Sequence, residues 1–161
     1  MVHECDGSCG VLAAGVPVSV KLSTTTADET IRLGELVGRS LNVGDVVLLH
    51  GDLGAGKTTL VRGIARSLGF RGRVSSPTFA LAHVYRGKKR TLHHLDLYRL
   101  KGGDLTELGL EELIEDPRGV VVVEWPEVVR LWPRRRIDVR MSHCKNGRKI
   151  LIHDRRTKGR S

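Results

Sequence analysis

The stretch HGDLGAGKTTL, residues 50–60, decides the fold of this chain. It fits the spacing G-x-x-x-x-G-K-[ST] from Gly51 to Thr58. The apolar run Val46–Leu49 before it is short enough to form one buried strand, and apolar residues recur at helical spacing after it as far as Leu68. A strand, a glycine-rich turn and a helix in this order indicate a phosphate-binding loop. The alternative, a glycine turn joining a core strand to a core helix without a ligand, is disfavoured because both flanks fit.

The residue types of this loop match the chemistry of a polyphosphate. Glycines let consecutive backbone N–H groups point inward, and the helix that follows directs the positive end of its dipole at the phosphates. Lys57 places a cation on the β- and γ-phosphates, and the Thr58 hydroxyl is offered to Mg²⁺. The sequence therefore predicts a site for ATP or ADP and Mg²⁺, with nucleotide-binding residues Gly54, Ala55, Gly56, Lys57, Thr58 and Thr59.

Two carboxylates follow predicted strands. Asp96 lies near the end of the strand predicted over Thr91–Leu97, and Glu124 follows the β-branched run Val120–Val123. Open α/β sheets place their chemistry at the carboxyl ends of strands. With Lys57, these two acids are the candidate catalytic residues. The adjacent His93 and His94 should face opposite sides of their strand, so no role is assigned to them.

The remaining chain predicts a mixture of strands and helices. Thr26 and Glu29 fit a capping box at the start of a helix that runs to Leu41. The other predicted elements are an edge strand over Pro17–Leu22, a hairpin of Phe79–Tyr85 with the Thr91–Leu97 strand, one broken or two short helices between Leu105 and Ile114, and a basic C-terminal β-hairpin turning at Lys145-Asn146-Gly147.

Length and composition limit the class of protein. The chain has 161 residues, enough for one domain. We expect the chain to consist of a loose N-terminal extension (1–16), a P-loop ATPase domain (17–154) and a basic tail (155–161). No apolar run approaches the ~18 residues of a membrane span, and the N-terminus lacks a basic region, so a cytoplasmic protein is expected. The three cysteines are expected to be free thiols; zinc held by His3, Cys5 and Cys9 is disfavoured because the spacing is incomplete.

The positive charge of the chain is concentrated near its end. Residues 130–161 hold twelve Lys or Arg against two Asp, a net charge of +10, so the first 129 residues net to −1. Such a region could meet nucleic acid or an acidic protein, or form a solvated basic face, and the sequence leaves these readings open.

Four motifs together resemble one family. GDLGAGKTTLVRGIARSLG (51–69), SSPTF (75–79), HLDLYRL (94–100) and VEWPE (123–127) are similar, in order and approximate spacing, to TsaE, also called YjeE, the small bacterial ATPase of tRNA threonylcarbamoyladenosine synthesis. The resemblance covers about Val18–Ile152. It does not extend to the first 16 residues, and none of the motifs includes the basic C-terminal region.

The resemblance implies a P-loop NTPase-like α/β fold, a mixed sheet flanked by helices, that works with the TsaD and TsaB proteins. Their complex transfers the threonylcarbamoyl group to adenosine 37 of tRNAs reading codons that start with adenine. Thr58 and Glu124 would hold Mg²⁺, Asp96 would support them, and Ser76–Thr78 match a switch-like segment. The adenine pocket is expected to involve both the helix start around Asp28–Thr30 and the hairpin near Arg148. Contact with tRNA is expected to be indirect or through the basic C-terminal region.

Two other functions stay open. A small-molecule kinase would carry the same loop, although no long arginine-bearing lid is visible in the sequence. A nucleotide-dependent binding module would bind ATP without needing to hydrolyse it. A guanine-specific switch is disfavoured because no N-K-x-D element occurs.

Overall fold

The computed structural model describes residues 3–4, 18–100 and 109–156. Within these ranges the strands are β1 (His3–Glu4), β2 (Val18–Thr24), β3 (Val46–His50), β4 (Ala82–Arg86), β5 (Thr91–Asp96), β6 (Gly119–Glu124), β7 (Ile137–Cys144) and β8 (Gly147–Asp154). The helices are α1 (Ala27–Ser40), α2 (Lys57–Ser67) and α3 (Leu110–Glu115), with a 3-10 helix over Pro126–Val128. No helix in the described part of the chain is both long and apolar enough to cross a membrane.

All these strands form one mixed sheet in the order β1-β2-β8-β7-β3-β6-β5-β4. The four central strands β7, β3, β6 and β5 run parallel. Antiparallel strands flank them, with β4 beside β5 and the β7-β8 hairpin continuing to β2. The predicted fold class, a P-loop-like mixed sheet with helices and a C-terminal hairpin, is confirmed.

The central strands are buried on both faces because helices cover both sides of the sheet. In β3, Val47 and Leu49 pack with α1 and α2, whereas Val46 and Leu48 pack with α3 and the segment after β6. All four side chains are at most 1% exposed. Burying each contributes roughly 1.5–3 kcal/mol, so the strand that leads into the phosphate loop is held firmly on both faces.

Helices α1 and α2 approach each other closely at glycines. A Cβ atom at Gly34 would lie 2.2 Å from the Leu60 carbonyl oxygen, and one at Gly63 would lie 2.0 Å from the Ile31 carbonyl oxygen. Only a missing side chain permits such contacts. The crossing fixes the direction of α2, and α2 begins at the phosphate loop.

The ends of the helices follow the predicted signals with one difference. The Thr26 hydroxyl accepts a hydrogen bond from the Glu29 backbone N–H at 3.1 Å, as a capping box requires. The Glu29 carboxylate reaches one residue further back than predicted, to the Thr25 N–H and hydroxyl at 2.7 and 2.9 Å. At the C-terminal end of α2, the N–H groups of Gly69 and Phe70 donate the 5→2 and 6→1 hydrogen bonds of a Schellman motif.

The strand predicted over Phe79–Tyr85 starts late. Its first residues form a turn instead, in which the Pro77 carbonyl accepts hydrogen bonds from Ala80 and Leu81. Leu81 has φ 65°, which no strand residue adopts. β4 therefore begins only at Ala82.

Part of the basic C-terminal charge is neutralised inside the fold. Asp138, 5% exposed, accepts hydrogen bonds from Arg136 and Arg155. Arg156 bonds Asp154 and the buried Asp45 at 2.6 Å each. Burial alone would raise the pKa of Asp138, but Arg136 and Arg155 hold this pKa below its ordinary value. Arg136, Arg155 and Arg156 thus pair with carboxylates inside the domain and attach residues 155–156 to it.

Several predictions fall outside the described residues. β1 pairs with β2 inside the segment expected to be a loose extension, but Cys5 and Cys9 are not described. The same holds for 101–108, where the predicted helical segment begins, and for 157–161. Arg155 and Arg156, assigned to the tail, contact the domain. The division into extension, domain and tail stays a prediction.

Candidate functional site

The phosphate loop joins the end of β3 to the start of α2. Gly51, Gly54 and Gly56 have φ values of 143°, 78° and 99°, a region that favours glycine. Gly56 is the N-cap of α2 and makes no side-chain cap bond, and the first turn of α2 contains no acidic residue. The first N–H groups of α2 have no acceptor within the helix, and no side chain caps them at Gly56. Together with the helix dipole they favour an anion at the loop.

Lys57 lies folded over the loop. Its side chain is buried, with Nζ donating to the carbonyl oxygens of Gly51 at 2.5 Å and Asp52 at 3.0 Å. The same ammonium lies 4.0 Å from the ring centroid of Trp125. Burial lowers the pKa of Lys57, and the nearby carboxylate of Glu124 offsets part of that effect. A phosphate group would add a negative charge in direct contact with this buried cation.

Glu124 lies at the end of β6, beside Leu49 of β3 and Asp96 of β5 in the sheet register. It is 3% exposed. Its Oε1 accepts hydrogen bonds from the Thr58 hydroxyl at 2.9 Å and from His94 Nε2 at 2.8 Å. Its second oxygen accepts no hydrogen bond from the described residues. A hydroxyl and a carboxylate are thus placed together at the start of α2.

Asp96 is held by the segment before β4. Its Oδ2 accepts hydrogen bonds from the hydroxyls of Ser76 at 2.5 Å and Thr78 at 2.7 Å. Its Oδ1 accepts from the Tyr98 N–H at 3.0 Å. The Ser76–Thr78 segment is therefore bound to the end of β5 through the Asp96 carboxylate.

A cleft of about 300 Å³ joins these groups. Trp125, in the left-handed region at φ 60°, turns the chain directly after Glu124, and its ring lies 4.8 Å from that of Tyr98. Arg148 of β8 also lines the cleft and lies against the loop, as shown by the 2.7 Å that would separate a Cβ at Gly56 from its Nε. That Nε is buried without a hydrogen-bond partner among the described residues. An unpaired buried donor beside a phosphate loop suits an anionic ligand.

The structure brings most of the predicted site residues together. The cleft is lined by Gly54, Gly56, Lys57, Thr58, Thr59, Asp96 and Glu124. Ala55 belongs to the loop, but its side chain is fully buried in the core. Of the two regions expected to form the adenine pocket, Arg148 lines this cleft and Asp28–Thr30 do not, so the position of the adenine pocket stays a prediction.

Sequence reasoning missed His94 and Tyr98. His94 is fully buried and orients Glu124, while His93 faces Asp116 on the other side, at 2.7 Å. The alternation of the two histidines was predicted, but only the sheet register shows which one faces the acid. No group of three His, Cys, Asp or Glu side chains in the described ranges could hold a metal ion. Thr58 and Glu124 are instead a hydroxyl–carboxylate pair of the kind that binds Mg²⁺ together with phosphates.

The sequence of this chain is similar to that of known proteins of one family. Residues 24–150 match the family model described as "Threonylcarbamoyl adenosine biosynthesis protein TsaE". A protein from Nostoc sp. named "tRNA threonylcarbamoyladenosine biosynthesis protein TsaE" is 41% identical over 130 residues, covering 79% of this chain and 80% of that protein. A protein of the same name from Mycobacterium tuberculosis strain H37Rv is 40% identical over 130 residues, covering 74% and 76%.

A solved structure shares the fold. The crystal structure of YdiB from Bacillus subtilis superposes with a TM-score of 0.72 at 30% sequence identity, over 87% of this chain and 88% of that chain. The matched residues 24–150 include the phosphate loop, Asp96, Glu124 and Arg148. This chain therefore belongs to the TsaE family.

Proposed function

We propose that this protein binds and hydrolyses ATP with Mg²⁺ in the threonylcarbamoyl modification of adenosine 37 in tRNAs reading codons that start with adenine, working with TsaD and TsaB homologues. Family membership supports the role in tRNA modification. The observation that carries the ATPase proposal is the convergence of Lys57, the Thr58–Glu124 pair and an unpaired Arg148 Nε on one cleft.

The cleft fits a nucleoside triphosphate with magnesium. The glycine cradle leaves the N–H groups at the start of α2 open to phosphates, and a Cβ at Gly56 would meet Arg148. The Thr58 hydroxyl and the Glu124 carboxylate are hard oxygen ligands. Magnesium bound there would neutralise charge on the β- and γ-phosphates.

The side chains divide the chemistry between them. Lys57 and the loop amides would bind the terminal phosphates and stabilise the charge that develops as the γ-phosphoryl group leaves. Glu124 would orient the attacking water, with His94 fixing the direction of its carboxylate. Arg148 would add a second cation from β8. Asp96 would hold Ser76 and Thr78 near the γ-phosphate.

The experiment measures ATP binding by calorimetry and phosphate release on the purified protein with MgCl₂. We expect binding and slow release by the wild type, and loss of both in Lys57→Ala. Lys21→Ala, which changes an exposed lysine on β2, is the matched control and should behave as wild type. If the folded wild type takes up neither ATP nor ADP, the proposal fails.

The same samples separate the alternatives. A kinase would transfer phosphate to an added nucleoside or metabolite, whereas the ATPase releases only inorganic phosphate. Adding the TsaD and TsaB homologues with a tRNA transcript should produce modified tRNA with the wild type and not with Lys57→Ala. Full modification by a variant that binds ATP without hydrolysing it would favour the binding-module function.

A further inference from the structure

A second cleft lies at the opposite end of α2 from the phosphate loop. It has a volume of about 480 Å³ and adjoins a smaller cleft of about 220 Å³ across Arg66 and Phe70. Helix α2 has 11 residues, so at 1.5 Å per residue the two ends are roughly 15 Å apart. This region, called here the basic cleft, is defined by its cations Arg39, Arg62, Arg66, Arg71, Arg73 and Lys89.

The basic cleft is assembled from four separate parts of the chain. Arg39 comes from α1, Arg62 and Arg66 from α2, Arg71 and Arg73 from the following loop, and Lys89 from the β4-β5 turn. The turn is fixed to the end of α2, because the N–H groups of Lys89 and Arg90 donate to the Leu68 carbonyl oxygen at 3.0 and 3.3 Å. The loop is fixed by Arg62 Nε donating to the Val74 carbonyl oxygen at 3.3 Å. The cations are therefore held near one another by the fold.

The charge of the basic cleft is almost unopposed. Among the described residues, Glu35 is the one carboxylate that lines it, and the Glu35 carboxylate lies 3.9 Å from the Arg39 guanidinium. The other five cations form no ion pair with a carboxylate among the described residues, and all five are exposed. The negative end of the α2 dipole amounts to only about half a charge, so it cannot account for six cations. Such an accumulation of like charge is unfavourable unless an anion binds there.

The chemistry of the surface favours nucleic acid over an acidic protein. Protein interfaces have an apolar core from which charged residues are depleted. Here the rim is cationic, and the one aromatic ring among the described lining residues, Phe70, is half-buried against Tyr85, with 5.0 Å between the two ring centroids. Nucleic-acid interfaces are much more positively charged, and five of the six cations are arginines, whose planar fork and weak hydration suit phosphate.

We propose that the basic cleft binds the phosphodiester backbone of RNA, so that this protein contacts tRNA directly through the far end of α2. The proposal rests on the function proposed above only in taking tRNA as the RNA. It differs from the expectation that tRNA contact is indirect or through the C-terminal region, where three of the arginines are bound to carboxylates.

The test measures binding of a fluorescently labelled tRNA transcript by anisotropy at KCl concentrations from about 50 to 200 mM. The cleft variant combines Arg66→Gln, Arg71→Gln and Arg73→Gln. The control combines Lys21→Gln, Arg32→Gln and Arg130→Gln, exposed cations that do not line the cleft, so both variants lose three charges. The cleft variant should bind at least about tenfold more weakly at low salt and lower the salt slope by about 2–3, whereas the control should change the slope by less than about one.

Three results would overturn the proposal. They are equal losses in the two variants, wild-type affinity in the cleft variant, and no binding of tRNA by the wild type at low salt. Displacement of the transcript by poly-glutamate as readily as by unlabelled tRNA would assign the cleft to an acidic polypeptide instead. Circular dichroism verifies folding, and an Arg→Lys version of the cleft variant, which keeps the charge, should retain the slope. Calorimetry with ATP on the same samples distinguishes a failure here, with ATP binding intact, from a failure of the proposed ATPase.

Discussion

Replacing Glu124 by glutamine should separate ATP binding from ATP hydrolysis. Glutamine has nearly the same shape, so the buried position stays filled. Glu124 Oε1 accepts two hydrogen bonds, from Thr58 at 2.9 Å and from His94 at 2.8 Å. The amide oxygen can still accept them, but without a full charge, and each neutral bond is weaker by about 1 kcal/mol. We expect a stability loss of about 1–2 kcal/mol, a few degrees in Tm for a chain of this size.

The effect on turnover should be much larger than the effect on stability. A carboxylate that positions or deprotonates an attacking water typically contributes about 10²–10⁴-fold. Lys57, Arg148 and the loop amides are unchanged, so the substitution removes no direct contact with a phosphate. ATP affinity without magnesium should therefore stay within about threefold of wild type, a change in binding free energy below about 1 kcal/mol. The assay combines calorimetry with single-turnover release of labelled phosphate. Glu127→Gln is the matched control, because that carboxylate is 53% exposed and pairs with His50. Turnover by Glu124→Gln within tenfold of wild type would refute the reasoning.

Three further predictions concern the scaffold and the cleft walls. Gly63→Ala should lower the free energy of unfolding by about 1–3 kcal/mol, measured by urea denaturation, because its Cβ would lie 2.0 Å from the Ile31 carbonyl oxygen; wild-type stability would contradict the close approach. Arg148→Gln should weaken ATP binding in calorimetry about tenfold or more with unchanged Tm, whereas Lys149→Gln should not. Asp138→Asn should cost about 1–3 kcal/mol near neutral pH. The pKa of Asp138 is lowered in the folded state, so its contribution to stability is present above pH 3.8 and is lost as the pH falls through the lower folded pKa. In urea denaturation the stabilities of wild type and Asp138→Asn should converge at that low pH. A stability difference that does not change with pH would be inconsistent with the lowered pKa.

The local patterns of the sequence predicted the main features of the site because each has a short-range physical cause. Glycines supply the dihedral angles of such a turn, so the phosphate loop could be predicted from residues 51–58 together with the strand and helix patterns on either side. Asp96 and Glu124 were found because parallel strands end at one edge of the sheet. Their adjacency in the register of β5 and β6 confirms that reasoning.

The contacts that His94 and Arg148 make depend on pairings between distant parts of the chain. His94 contacts Glu124 across 30 positions. Arg148 reaches Gly56 only because β8 pairs with β7, which in turn lies beside β3. The late start of β4 has a different cause, since a local turn accepting two hydrogen bonds at Pro77 overrode the strand pattern of Phe79–Tyr85. Nothing in the spacing of these residues specifies the register or the turn.

Charge counted along the sequence located the basic surface only in part, for a physical reason that the fold makes plain. The first 129 residues net to −1, yet they contain all six cations of the basic cleft. Their balancing acids lie elsewhere, with Asp45, Asp96 and Glu124 buried inside the domain. The C-terminal region has a net charge of +10, but Arg136, Arg155 and Arg156 are bound to carboxylates. An external anion responds to the cations that remain exposed and unpaired, because a charge already paired within the fold presents little field to solvent. The end of α2 is therefore a surface on which salt-dependent RNA binding should be tested.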